Sequence, residues 1–198
     1  ITIVDPVTVF NGAAQGGSTG GMEYPTLFTA GTRWKPPAKG EQPDSVTIHE
    51  AGHQFWYGMV ATNEFEHAWM DEGFNTFSTA RVMDQAFMHS FAERRYFGGF
   101  IPWTVPGIRM TRPIEEGVAP YRQDAATDDL GTPSYRYSPD TGPSITYYKT
   151  ALWLHTLERW LGWERLQPSM SEYFRVWSFR HPQPDDFLED VHGTSCFE

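Results

Sequence analysis

Residues 49–53 read HEAGH, and this short run constrains the fold more than any other part of the chain. Four residues advance about 400° around an α-helix, so His49 and His53 should lie almost on one face, one turn apart. Two imidazoles in this arrangement can share a zinc ion, while Glu50 lies off that axis, where it can reach an attacking water. A helix that carries two unrelated histidines is the alternative.

A third ligand would strengthen the zinc interpretation, because catalytic zinc is held by three protein side chains and keeps one position open. Glu72 follows His53 after eighteen residues, near the start of a helix predicted over residues 71–88. That gap is long enough to complete the first helix, turn, and bring the second alongside. Glu72 could equally be an exposed acid favoured by the helix dipole. The competing acids nearby are Glu64, Glu66 and Asp71.

Composition excludes several classes of protein. The 198 residues are 39% hydrophobic and 16% aromatic, which is typical of a globular chain. The formal charge of −10 offers no basic patch for nucleic acid. No apolar run approaches the length of a membrane span. Cys196 is the single cysteine, so an intramolecular disulfide is excluded and the cellular compartment stays open.

The remaining pattern predicts an α+β fold that is mostly helical, with a small sheet near its start. Strands are expected over residues 1–9, interrupted at Asp5-Pro6, and over 22–30, where Pro25 implies an edge or an irregular position. A glycine-rich loop (11–21) separates them, and a proline-rich loop (33–43) follows. The HEAGH helix should be capped by Asp44 or Ser45 and end at Gly58. Later helices are predicted over 144–161, over 163–178 with Pro168 inside, and from Asp185, while 98–143 is a functional loop or holds short elements. One compact domain over 1–198 is the simplest interpretation.

Three further stretches give the chain a recognisable order. GGMEY (20–24) precedes HEAGH, DEGF (71–74) follows it, and ITYYKTALWL (145–154) comes later. The chain therefore resembles the gluzincin zinc aminopeptidases, the family of aminopeptidase N, whose marks are Gly-x-Met-Glu-Asn, HExxH, a glutamate eighteen residues on, and a Tyr-x-Lys-Gly-Ala stretch. The resemblance covers about 20–162 and implies a thermolysin-like catalytic domain.

The resemblance also implies a role for each matched residue. One Zn²⁺ ion would be bound by His49, His53 and Glu72, and Glu50 would take a proton from the attacking water and pass it to the leaving amine. Tyr147 would donate its hydroxyl to the oxyanion of the tetrahedral intermediate. Tyr148 is its neighbour and rival, although the spacing to the following lysine favours Tyr147.

Substrate binding is expected from the GGMEY stretch. By resemblance, Glu23 holds the free α-amino group of a peptide, so that cleavage occurs one residue from its end. Gly20, Gly21 and Met22 would form a strand against which the peptide backbone pairs. The implied substrates are therefore peptides with a free N-terminus.

The chain departs from the family pattern at Tyr24, where the family has asparagine, and at Thr150, where it has glycine. Family members also carry a β-rich domain before this region and a helical one after it, so we expect a fragment of a longer protein that lacks these flanking domains. An endopeptidase of the same fold and a peptide-binding module with impaired chemistry are the alternatives. The family includes an enzyme that hydrolyses a lipid epoxide, which nothing in this sequence singles out.

Overall fold

The computed structural model describes residues 1–4, 21–30, 44–86, 93–96, 101–104, 115 and 117–195. Their contacts define two compact units. The first unit comprises Ile1–Gln54 and Thr79–Pro113, and the second comprises Phe55–Ser78 and Ile114–Glu198. Gly20, most of the glycine-rich loop and the whole proline-rich loop lie outside the described residues, so the predictions about them stay predictions.

The first unit contains a three-stranded sheet. Its strands β1 (Thr2–Val4), β2 (Gly21–Met22) and β3 (Leu27–Ala30) lie in the order β1-β3-β2. β1 pairs with β3 in parallel, and β2 pairs with β3 antiparallel. Two further strands, β4 (Glu93–Tyr96) and β5 (Ile101–Thr104), form a separate antiparallel pair.

The strand predicted over 22–30 is instead two strands joined by a turn. Pro25 cannot donate a ladder hydrogen bond, and Thr26 adopts a φ of 63°, in the left-handed region. The Leu27 N–H donates to the Tyr24 carbonyl at 3.0 Å and closes the turn. Of the two positions predicted for Pro25, an edge or an irregular one, the structure shows the irregular one, a turn that reverses the chain and divides the predicted strand in two.

Helix α1 (Asp44–Gly52) packs on β2 and β3, and it ends six residues earlier than the predicted end at Gly58. The last turn tightens, because the Gln54 N–H donates to the Ala51 carbonyl at 3.2 Å. His53 lies just beyond the helix, yet its N–H still donates to the His49 carbonyl at 3.2 Å. The spacing of the two histidines is therefore still that of one helical turn.

The second unit is helical. Two turns in it have π-helical hydrogen bonding: the Glu72 turn (Trp69–Gly73), which leads into α3 (Phe74–Ala86), and the Tyr147 turn (Ser144–Lys149), which leads into α5. The remaining helical elements are α2 (Glu64–His67), α4 (Val118–Asp124), a 3₁₀ turn (Ser134–Arg136), α5 (Thr150–Leu161), α6 (Trp163–Trp177) and α7 (Pro184–Ser195). The boundary between the units falls within α3, whose first five residues belong to the second unit and whose remaining residues belong to the first.

Most helix boundaries agree with the sequence predictions. α5 ends where Gly162 adopts a φ of 84°, α6 runs through Pro168, and α7 is longer than the short helix expected from Asp185. The helix predicted over 71–88 begins later, at Phe74, because the Glu72 turn precedes it. The 98–143 region holds short elements, including β5, α4 and the 3₁₀ turn, as one of its two interpretations required.

Aromatic packing builds the core of the second unit. The Phe74 ring lies 4.6 Å from Phe187, 5.5 Å from Trp56 and 6.0 Å from Tyr173, measured between ring centroids. Leu154 of α5 is fully buried in the same cluster. In the part of the chain that the structure describes, no helix is long and apolar enough to cross a membrane.

Candidate active site

The two motif histidines converge in the first unit. Their Nε2 atoms lie 3.1 Å apart, and the rings meet edge to face with centroids at 4.7 Å. Two nitrogens bound to one tetrahedral zinc at about 2.0–2.1 Å would lie roughly 3.3 Å from each other. The separation of His49 and His53 is therefore suited to a shared zinc ion, and imidazole nitrogen is a donor that zinc prefers.

Glu50 lies on α1 beside strand β2. Only 5% of the residue is exposed, although it carries a carboxylate. A Cβ placed on Gly21 would overlap the Glu50 side chain, so the glycine is what lets the strand approach so closely. The structure thus brings Gly21, and with it Met22 and Glu23, next to the predicted general base. The sequence suggested a different reason for the glycine, the approach of a peptide.

Gln54 holds this strand and the histidine helix together, and the sequence analysis did not identify it. Its Oε1 accepts a hydrogen bond from the Thr26 N–H at 2.8 Å, and its Nε2 donates to the Tyr24 carbonyl at 3.2 Å. Gln54 directly follows His53, so one side chain ties the turn after Glu23 to the end of the HEAGH motif. The sequence feature that could have drawn attention to Gln54 is its position directly after the second histidine of the motif.

In the second unit, the structure brings together the two other predicted residues. The Tyr147 hydroxyl donates a hydrogen bond of 2.6 Å to Glu72 Oε1. The two residues are 75 positions apart, and their turns pack directly against each other. Both lie in π-helical turns, which occur often at functional sites.

Thr150, one of the two departures from the family pattern, is accommodated by a glycine. Thr150 is fully buried, and a Cβ on Gly73 would overlap its side chain. The missing side chain of Gly73 therefore makes room for the added one of Thr150. The other departure, Tyr24, is 51% exposed and lies in the turn between β2 and β3.

Three of the other histidines have structural surroundings, and the competing acids differ in exposure. Glu64 and Glu66 lie on α2, where Glu66 approaches the His67 ring at 4.0 Å, while Asp71 is fully buried. His155 packs on the Phe77 ring and lies 3.5 Å from Glu158, and His181 bonds the Ala61 carbonyl. These contacts give each histidine a role in packing or in local hydrogen bonding.

Comparison with known proteins identifies the class. The Peptidase family M1 domain matches residues 18–195, which is most of the chain. The chain belongs to peptidase family M1. The predicted relationship to the zinc aminopeptidases is confirmed, and zinc is the metal that this family implies.

Similar curated proteins are considerably longer. Leukotriene A-4 hydrolase homolog of Botryotinia fuckeliana is 29% identical over 172 residues, which is 85% of this chain and 24% of that protein. Aminopeptidase M1-D of Oryza sativa is 25% identical over 92% of this chain and 20% of its own length. Leucine aminopeptidase 2 of Aspergillus niger is 29% identical over 89% of this chain and 27% of its own length. The chain thus spans about a quarter of the length of these relatives.

Solved structures share the fold at low sequence identity. The M1 zinc metallopeptidase from Deinococcus radiodurans superposes with a TM-score of 0.58 at 18% identity, covering 88% of this chain and 33% of that one. Yeast LTA4 hydrolase in complex with bestatin gives a TM-score of 0.62 at 17% identity, and the match covers 88% of this chain and 26% of the hydrolase chain. The predicted class, mostly helical with a small N-terminal sheet, is confirmed at this level.

Proposed function

We propose that this chain is the catalytic part of a zinc-dependent aminopeptidase that hydrolyses the N-terminal peptide bond of peptides. The observation that carries the proposal is the convergence of His49 and His53 at 3.1 Å on the helix that also presents Glu50 to strand β2. Membership of peptidase family M1 supports it, as do relatives named as aminopeptidases.

One zinc ion would be held by His49, His53 and Glu72. All three donors are of the kinds found at catalytic zinc, which takes two histidines and a glutamate in several peptidases. Bound there, zinc supplies a Lewis acid that polarises the scissile carbonyl and makes water acidic enough to ionise near neutral pH. The eighteen-residue gap between His53 and Glu72, typical of the family that the chain resembles, supports this assignment.

Glu50 would take the proton from the attacking water and deliver it to the leaving amine. Its position one residue after the first ligand keeps it near the metal without occupying a coordination position. Since the residue is only 5% exposed, bulk water competes little for the proton it carries.

Glu23 would bind the substrate's α-ammonium group through a charge-assisted hydrogen bond. It follows Met22 at the end of β2, the strand that lies beside Glu50. Because the acid and the base are in the same unit and close in the fold, an amine held by Glu23 would present the first peptide bond to Glu50. Gly20, Gly21 and Met22 would pair with the peptide backbone.

Tyr147 would donate its hydroxyl to the oxyanion that forms on the substrate, a contribution of roughly 3–4 kcal/mol for such donors. We also propose that 1–198 forms one domain of thermolysin-like architecture, with a β-rich domain before it and a helical one after it in the full-length protein. The length of the curated relatives supports this last point.

The test is replacement of Glu50 by glutamine, which keeps the shape and removes the base. We expect hydrolysis of amino-acid arylamides to fall by about 10²–10⁴-fold or more, with zinc content unchanged by metal analysis. Glu66→Gln, at an exposed acid on α2, is the matched control and should retain full turnover. Normal turnover in Glu50→Gln would refute the mechanism.

A further inference from the structure

The bond between Tyr147 and Glu72 is the starting point. Its 2.6 Å length is that of a hydrogen bond from a phenol to an ionised carboxylate. Its two residues are the predicted oxyanion donor and a predicted metal ligand, and those roles alone give them no reason to bind each other. The contact therefore indicates that one of these side chains has a second role.

The two turns that carry these residues are held at a fixed short distance. The Thr150 side chain lies directly against the Gly73 backbone and fills the space that a Cβ on Gly73 would need, so the two segments cannot move closer at this point. Gly73 is the neighbour of Glu72, and Thr150 lies three residues after Tyr147. The distance from the hydroxyl to the carboxylate is thus set by buried packing.

The Tyr147 turn is also anchored from its other side. The Ser144 hydroxyl donates to Asp124 Oδ2 at 2.5 Å, and Lys149 Nζ donates to the Asp128 carbonyl at 2.8 Å. These bonds fix both ends of the turn, so the tyrosine ring has a rigid base. Rigid support of this kind is what a residue needs in order to orient another side chain.

We propose that Tyr147 is a positioning residue for the metal ligand Glu72, in addition to its role toward substrate. This inference rests on the proposed function, because it takes Glu72 to be a zinc ligand. A carboxylate has two oxygens, so accepting a hydrogen bond from Tyr147 through one of them is compatible with binding a metal through the other. Holding the carboxylate in one orientation lowers the entropy lost when zinc binds.

The hydroxyl has a single proton, so donation to Glu72 and donation to a substrate oxyanion are alternatives. Tyr147 therefore serves Glu72 when no substrate is bound and must release it during the reaction. Removing the hydroxyl should consequently weaken zinc binding in the absence of substrate, which a role limited to the oxyanion does not predict.

The experiment measures zinc affinity of the 198-residue chain by competition with a chromophoric chelator, with no substrate present. Partners that orient a metal ligand contribute about 10–100-fold to metal affinity, and we expect a weakening of that size in Tyr147→Phe. Tyr148→Phe, at the adjacent tyrosine of the same turn, should bind zinc as the wild type does. Circular dichroism and thermal melting check that each variant folds.

A double-mutant cycle with Glu72→Ala separates a direct effect from a general loosening of the fold. Once Glu72 is absent, Tyr147→Phe should weaken zinc binding no further. Equal losses in both backgrounds, or an affinity unchanged within twofold in Tyr147→Phe alone, would overturn the inference. A wild-type chain that binds no zinc would overturn it together with the proposed function, whereas one that binds zinc without hydrolysing peptides would refute only the function.

Discussion

Gln54 is a residue whose importance emerges only from the structure. It bonds backbone atoms of Tyr24 and Thr26, and these lie 30 and 28 positions away in the sequence. Through these two bonds it fixes the turn that follows Glu23. The proposed amine-binding acid is thus oriented by a neutral side chain adjacent to a proposed metal ligand.

Replacing Gln54 by leucine tests this positioning role. The variant keeps a side chain of similar bulk and loses both hydrogen bonds, which should lower the free energy of unfolding by about 1 kcal/mol because the bonds are exposed. KM for peptides with a free N-terminus should rise while zinc affinity stays the same. Gln167→Leu, which removes an exposed hydrogen bond on α6, is the control. An unchanged KM would show that Glu23 does not depend on Gln54.

Spacing explains which of the proposed site residues the sequence could reveal. His49, Glu50 and His53 occur at separations that their chemistry requires, whereas Tyr147 was identified through the family resemblance and Glu72 through both. Gln54 acts on backbone atoms, which every residue has, so its partners leave no trace in residue types. The match of Gly73 with Thr150 was not predicted because the two residues are distant in sequence and meet only in the fold.

At the scale of elements, the sequence predicted helix ends correctly where the conformational preference of a single residue determines them. Gly162 ends α5 because it adopts a positive φ, which glycine does readily since it has no Cβ. The irregular position was predicted at Pro25 as one of two alternatives, but the end of α1 was predicted wrongly, because Gln54 leaves the helix at a tightened turn and bonds the turn between β2 and β3. The Glu72 turn was missed since π-helical bonding has no distinct periodicity over so few residues.

Asp128 lies in the loop that follows α4, and this loop supports the Tyr147 turn because the Asp128 carbonyl accepts a hydrogen bond from Lys149. Asp128 accepts a hydrogen bond from the Thr141 hydroxyl and another, of 2.9 Å, from the Ser138 N–H. Hydrogen bonding from Thr141, followed by that from Ser138 and the charge of Lys149, lowers the pKa of the Asp128 carboxyl despite its partial burial. The ionised form is therefore the one that the folded loop prefers.

The sign of the pH dependence follows from this lowered pKa. Asp128 stabilises the fold above the ordinary aspartate pKa of about 3.9, and that contribution is lost as the pH falls through the lower folded value. Asp128→Asn should melt at a lower temperature than the wild type between pH 5 and 8, and the difference should shrink below about pH 4. Asp140→Asn, at an exposed aspartate with a φ of 67°, should melt like the wild type. A difference that does not shrink as the pH falls further below 4 would contradict this account.

At the scale of the whole molecule, the proposed reaction uses residues from distant parts of the sequence. His49, Glu50 and His53 belong to the first unit, and Glu72 and Tyr147 to the second. Family membership accounts for the presence of both sets in one chain. The proposed reaction needs them to act together, so activity is the property that tests the whole account.

The decisive measurement is a mass-spectrometric digest of one peptide, presented with a free or an acetylated N-terminus to the zinc-loaded protein. The account predicts stepwise trimming of the free peptide alone, because an acetylated terminus has no ammonium group for Glu23 to bind, and Glu50→Gln should trim neither. Internal cuts in both peptides, or equal trimming of the acetylated one, would contradict it and indicate an endopeptidase or an enzyme that does not require the free amine.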